Sequence, residues 1–115
     1  SKEDVTEVVV TAFEGEMWIL KEHISIISCL KPSILKVYTR SDENNYVIED
    51  GILEFKDDNL SIVTSSILNI SDLDRNKIDQ IVKDAEKESS GDNIDDQKRY
   101  LIDQKIEVLK NLNLN

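Results

Sequence analysis

Very few side chains in this sequence could carry chemistry. There is one histidine, His23, and one cysteine, Cys29, and together they cannot supply the three or four ligands that a zinc ion requires. His23 closes the polar corner Lys21-Glu22-His23 and could act as a general base, yet no partner stands near it in sequence, so a surface or packing role is the stronger reading. The adjacent carboxylates Asp57-Asp58 and Asp95-Asp96 look like acid–base pairs only on paper. Neighbouring side chains point apart on a strand and diverge by about 100° on a helix, so both pairs read as solvated turns. No glycine-rich phosphate loop and no nucleophile elbow occurs. The isolated chain is therefore expected to have no catalytic activity. Cys29 cannot form an internal disulfide and reads as a small apolar packing residue, which suits a reducing compartment.

Composition narrows the class further. The chain has 115 residues, 39% hydrophobic and 33% charged, with a formal net charge of −10. That length fits one ordinary domain, or a small β domain with a helical attachment. The acidity argues against nucleic-acid binding, which needs clustered Lys and Arg. Residues 1–70 hold thirteen acidic against six basic side chains, and residues 71–115 hold eleven against eight. The later part is charge-mixed, as a solvated helical pair would be. No apolar run reaches the roughly 20 residues that span a bilayer, and the opening Ser-Lys-Glu-Asp lacks the pattern of a signal peptide. Direct membrane insertion is not expected.

The elements that would position these residues follow from period. Val5-Thr6-Glu7-Val8-Val9-Val10 is rich in β-branched residues and reads as strand. Glu14-Gly15 turns the chain, and Glu16–Leu20 and Ile24–Cys29 read as the next two strands, with Ile24, Ile26 and Cys29 on a buried face. Trp18 in this stretch is either core or an exposed anchor for a partner, and the residues alone leave both open. Lys31-Pro32-Ser33 is a turn. Strands follow at 34–39, 46–48, 52–55 and 60–64, with a loop at 40–45 and turn chemistry at Asp57-Asp58-Asn59. This spacing predicts an antiparallel β-sandwich or flattened barrel over residues 1–70.

At Ser71 the period changes. Ser71-Asp72-Leu73-Asp74 resembles a capping box with Ser71 as N-cap, and Ile78, Ile81, Val82 and Ala85 form one helical stripe running to about Lys87. Ser89-Ser90-Gly91-Asp92-Asn93 breaks it. Ile94, Leu101, Ile102, Ile106, Leu109 and Leu112 form a second stripe. Residues 71–115 should be an antiparallel helical hairpin, giving an α+β fold overall.

Taken in register, Glu14-Gly15-Glu16-Met17-Trp18-Ile19-Leu20-Lys21-Glu22-His23, Lys31-Pro32-Ser33, Asp50-Gly51-Ile52-Leu53-Glu54 and Leu73-Asp74 resemble the bacterial epsilon subunit family of F-type ATP synthase, called delta in mitochondria. Trp18 stands where that family has glycine, Ser33 replaces the glycine after proline, and Asp50 replaces the first glycine of its corner. The family usually begins roughly one strand earlier, so the resemblance implies that its first strand is either absent here or lies upstream of residue 1. Its second helix is usually alanine-rich, and the Leu, Ile, Lys and Gln found here imply a hairpin that packs more loosely or detaches more readily.

The resemblance implies a non-catalytic rotor-stalk subunit that clamps the gamma subunit, rests on the ring of c subunits, and couples ring rotation to the catalytic head. Glu16, Lys21, Glu22 and His23 match the ring-facing loops. The helices would regulate ATP hydrolysis, reaching the alpha and beta subunits when extended. In some relatives they bind ATP through a motif matched here by Leu73, Asp74, Lys77 and Ile78, where lysine replaces arginine and isoleucine replaces alanine. An ammonium does not reproduce the guanidinium fork, so ATP binding is expected to be weak or absent. The implied location is peripheral, on the cytoplasmic face of a bacterial inner membrane, with the matrix side of the mitochondrial inner membrane as the alternative. The competing reading is a generic β-sandwich interaction module with a helical tail.

Overall fold

A computed structural model describes residues 4–12, 17–21 and 24–112. Eight strands come first: β1 (Val5–Ala12), β2 (Met17–Lys21), β3 (Ser25–Cys29), β4 (Ser33–Thr39), β5 (Glu43–Ile48), β6 (Gly51–Lys56), β7 (Asn59–Thr64) and β8 (Ile67–Asn69). A 3-10 turn, Ile70–Asp72, leads to helices α1 (Arg75–Ser89) and α2 (Asp96–Lys110). The strands form a five-stranded sheet ordered β2-β1-β4-β5-β8 and a three-stranded sheet ordered β3-β6-β7. Every pairing is antiparallel. The expected α+β architecture, sandwich then helices, is the one observed.

Alternation along β4 shows why these residues choose strands. Ser33, Leu35, Val37 and Thr39 are buried while Ile34, Lys36 and Tyr38 are half-buried on the other face, as a pleated strand with period two requires. Val8 faces Val37 and Val10 faces Leu35 across the β1–β4 ladder. With Ile48, Leu53 and Phe55 they make the core between the sheets, where Phe55, Leu35, Ile48 and Leu53 are fully enclosed. The Val5 backbone N–H donates to the Asp58 carbonyl at 2.8 Å, stitching the first strand to the β6–β7 turn.

That turn uses Asp57 and Asp58 at φ 51° and 62°. Two successive left-handed residues match the right-handed twist of the flanking strands, and aspartate tolerates this conformation better than most residues. Asn59 Nδ2 donates to the Asp57 carbonyl at 3.0 Å. The structural role of this pair is thereby settled.

Three local expectations need correction. Glu43, Asn44 and Asn45 belong to β5 rather than to a loop, because backbone pairing with Lys36–Tyr38 overrides their turn-forming tendency. On β3 the inward residues are Ile27 and Cys29, while Ile24 and Ile26 face outward. Finally, the N-cap of α1 is Asp74, whose Oδ1 accepts from the Lys77 N–H at 2.8 Å. Ser71 sits instead in the 3-10 turn, donating to Asn69 Oδ1 from both its N–H and its hydroxyl. The extended backbone of Leu73 separates turn from helix.

Both helices have 15 residues, and α2 is capped by Asp95, which accepts from the Lys98 N–H at 2.7 Å. Ile94 precedes that cap and lies outside the helix. Arg99 secures the interhelical loop by donating to the carbonyls of Ser89 at 2.9 Å and Gly91 at 3.1 Å. The hairpin packs on the outer face of the five-stranded sheet. Ile78, Val82, Ile106, Val108, Leu109 and Leu112 meet Val47 in a second core, edged by Ile34, Leu68, Ile70 and Leu73.

Candidate functional site

The three-stranded sheet turns an unusual face outward. Along β3, β6 and β7 alternate residues point away from the core, and among them Ile26, Ile52 and Val63 are 64%, 53% and 72% exposed. Ile52 lies directly opposite Val63 across the β6–β7 ladder. Ile26 pairs with Glu54 on β6 and so stands diagonal to Ile52, within reach of a shared contact on one sheet surface. Ile24 and Leu30, also strongly exposed, flank the two ends of β3. Ile26, Ile52 and Val63 thus gather exposed apolar side chains on one face of this sheet. Residue types alone could not reveal it, since Ile and Val are equally at home in a core, and only the pairing register assigns their direction.

The corner between β2 and β3 is a second region of interest. Lys21 is exposed at the end of β2 and its ammonium stands 3.4 Å from the Glu7 carboxylate. Glu16, Glu22 and His23 lie outside the described residues. Trp18 faces Val10 across the β1–β2 ladder and packs, half-buried, against the core between the sheets. Met17 and Ile19 take the outward positions of the same strand, at 59% and 52% exposure. The indole thus serves chiefly as packing, and its neighbours present the apolar surface.

The start of α1 contains the third set. Leu73 packs at the edge of the second core and Ile78 is buried within it. Asp74 is committed to its cap, and Lys77 Nζ donates to the Asp72 carbonyl at 3.0 Å. All four positions therefore have structural duties, and the one cation among them is turned back onto the chain.

A cavity of about 510 Å³ opens between the hairpin and the sandwich, lined by Pro32, Glu49, Ile81, Glu88, Lys98 and Lys105 among others. No cluster of three or more His, Cys, Asp or Glu occurs among the described residues. Cys29 is enclosed, and burial raises the pKa of its thiol above the ordinary value. This is the opposite of what activates a nucleophilic cysteine. Among the described residues no nucleophile stands with a base.

Residues 1–70 match the family described as ATP synthase, Delta/Epsilon chain, beta-sandwich domain. A protein named ATP synthase epsilon chain from Pelagibacter ubique is 63% identical over 113 residues, covering 98% of this chain and 87% of that one. The ATP synthase epsilon chain of Mesorhizobium japonicum is 30% identical, covering 96% and 82% respectively. The mitochondrial ATP synthase subunit delta of Schizosaccharomyces pombe is 33% identical over 84 residues, covering 71% and 50%. Among solved structures, a chain of the Euglena gracilis mitochondrial ATP synthase, in an assembly of OSCP, F1 and c-ring, superposes with a TM-score of 0.60 at 18% identity, covering 96% of this chain and 69% of that one. That likeness is one of fold.

Proposed function

The chain belongs to the delta/epsilon family of ATP synthase subunits, accessory and non-catalytic, and from that premise we propose that it is a rotor-stalk component whose three-stranded sheet docks on the gamma subunit. The observation that carries this reading is the outward cluster of Ile26, Ile52 and Val63. Burying three such side chains releases about 1.5–3 kcal/mol each at full enclosure, enough to bias a specific contact that polar rim residues then orient. A stalk subunit must transmit torque, and a sheet is a stiff platform for it.

The β2–β3 corner is the part proposed to meet the c-ring. Lys21 is at hand there, already exposed, and Glu16, Glu22 and His23 are the matching positions in sequence. An acidic side chain at Glu16 would pair with basic loop residues of a ring. Charge reversal at Glu16 should impair complex assembly or proton-coupled ATP synthesis, and unchanged behaviour in both would refute this assignment.

The helical hairpin would regulate ATP hydrolysis by reaching the alpha and beta subunits when extended. ATP binding by the isolated chain should be weak or absent. Lys77 is engaged with backbone, Asp74 with its cap and Ile78 with the core, so an incoming nucleotide would have to displace three existing interactions. The 63% identity to a bacterial chain supports a peripheral location on the cytoplasmic face of a bacterial inner membrane. No helix among the described residues is long and apolar enough to cross a membrane.

The decisive experiment is co-purification with the gamma subunit. Wild-type chain should be retained by gamma, while Ile52→Thr combined with Val63→Thr should weaken retention with little change in thermal stability, since both side chains are exposed and threonine keeps the strand preference of a β-branched residue. A wild-type chain that never retains gamma would favour the generic interaction module instead.

A further inference from the structure

The two halves of the hairpin are held to the sandwich by different physics. The buried residues of α1 (Ile78, Val82) and α2 (Ile106, Val108, Leu109) lie from the middle of each helix to the end remote from the interhelical loop. The loop-side stretches, Lys83–Ser89 and Asp96–Lys105, contain no buried residue, and of them Ala85 and Ile102 pack, half-buried, at the edge of the second core. Beneath them opens the 510 Å³ cavity, with Glu49 and Pro32 on its sandwich wall and Glu88, Lys98 and Lys105 on its helical walls. Polar contacts run across this side. The Lys105 ammonium pairs with the Glu49 carboxylate, with side chains only 22% and 34% exposed, and Lys31 stands over the Tyr100 ring at 5.8 Å from its centroid.

We propose that the Glu49–Lys105 pair is an electrostatic clasp that closes the loop-side half of the hairpin onto the sandwich, so that the hairpin opens from its loop end while its apolar base stays anchored. The partial burial of both side chains shields the pair from solvent more than an exposed surface pair. With the cavity beneath them and only half-buried Ala85 and Ile102 packed at the core edge, the loop-side stretches have fewer dispersion contacts to resist opening than the base has. At the base, Ile78 and Leu109 against Val47 must leave an apolar core before they can move. Salt therefore weakens the clasp and the exposed Lys110–Glu86 pair between the helices, while the apolar packing of the base is unchanged. The proposal concerns the chain by itself and stands whether or not the sheet docks on gamma.

Amide hydrogen exchange on the full chain reads the two halves separately. Raising ionic strength from low to high should accelerate exchange in residues 83–104 of the wild-type chain by roughly two- to fivefold, the range expected of one ion pair. Residues 106–112 and the strands should hold their rates. Lys105→Gln should show the fast loop-side exchange already at low salt and lose the salt response, and the swap Glu49→Lys with Lys105→Glu should recover slow exchange. Equal acceleration of both halves, or a wild-type hairpin insensitive to salt, overturns the proposal. So does a correctly folded swap, with strand amides protected as in wild type, that fails to recover slow exchange. Because the salt series needs no substitution, a variant that misfolds leaves the test intact.

Discussion

Gly51 meets Val63 so closely across the β6–β7 ladder that a Cβ placed on Gly51 would stand 2.6 Å from the Val63 carbonyl oxygen. The clash would be with backbone, which cannot swing aside as a long side chain could. Gly51→Ala should therefore lower stability by about 1–3 kcal/mol, the usual cost of overpacking. Thermal unfolding followed by circular dichroism measures it, and a melting temperature within a degree of wild type would contradict the close approach.

Asp74 holds the first turn of α1 through its carboxylate. Asp74→Ala should cost about 1 kcal/mol, whereas Asp74→Ser should recover most of it because a hydroxyl can accept the same Lys77 N–H. Far-ultraviolet circular dichroism would register a small loss of helix for the alanine variant. Ser71→Ala should leave the helix unchanged, since Ser71 caps no part of it and instead donates to Asn69.

Cys29 should react slowly. Its thiol is enclosed and its pKa is raised by burial, so at mildly alkaline pH the folded chain holds little thiolate and shields what it holds. Alkylation at pH 8 should be far slower than in denaturant, where the thiol is exposed. The sign of the linkage follows. The folded state keeps this proton to higher pH than the unfolded state, so stability from this group is complete below the ordinary thiol range and declines as pH rises through it. Cys29→Ala should flatten that alkaline slope in urea melts.

Arg99 closes the interhelical loop with two donated hydrogen bonds. Arg99→Met keeps the apolar stem and removes the donors, leaving the Ser89 and Gly91 carbonyls without that partner. A loss of roughly 1–3 kcal/mol is expected for charged donors of this kind, with faster amide exchange near residues 89–95. Arg99→Lys should rescue only in part, because one ammonium does not reproduce the planar fork.

The lone tryptophan gives a direct optical readout. Trp18 is half-buried against the core, so its emission should shift to longer wavelength on unfolding, and Trp18→Ala should cost up to about 3–5 kcal/mol, less in proportion to the part already exposed. An emission maximum unchanged by denaturant would contradict the packing of the indole.

Much of this arrangement was legible in the residues. β-branched runs announced the strands, Asp57-Asp58-Asn59 announced a tight turn, and the spacing of Ile78, Ile81, Val82 and Ala85 announced α1. What escaped was set by partners distant in sequence. Asn44 and Asn45 look like loop until Lys36 and Val37 pair with them, and Ser71 looks like a cap until Leu73 extends the chain between them. Ile26 and Ile52 illustrate the deeper limit. Hydrophobicity alone reads them as core, but the β3–β6 register turns them to solvent, and β3 has two alternating faces with apolar residues on each. The candidate docking surface was for that reason invisible before the sheet was assembled.

Strand β5 is a wall shared by two rooms. Ile48 looks into the space between the sheets, while its neighbour Val47 looks into the space beneath the helices. Strands β4 and β5 thus join two cores that bury separate sets of side chains, and each core can melt on its own schedule. A lone melting temperature for this chain would average two cooperative units, and probes placed at Trp18 and in α2 would report different midpoints.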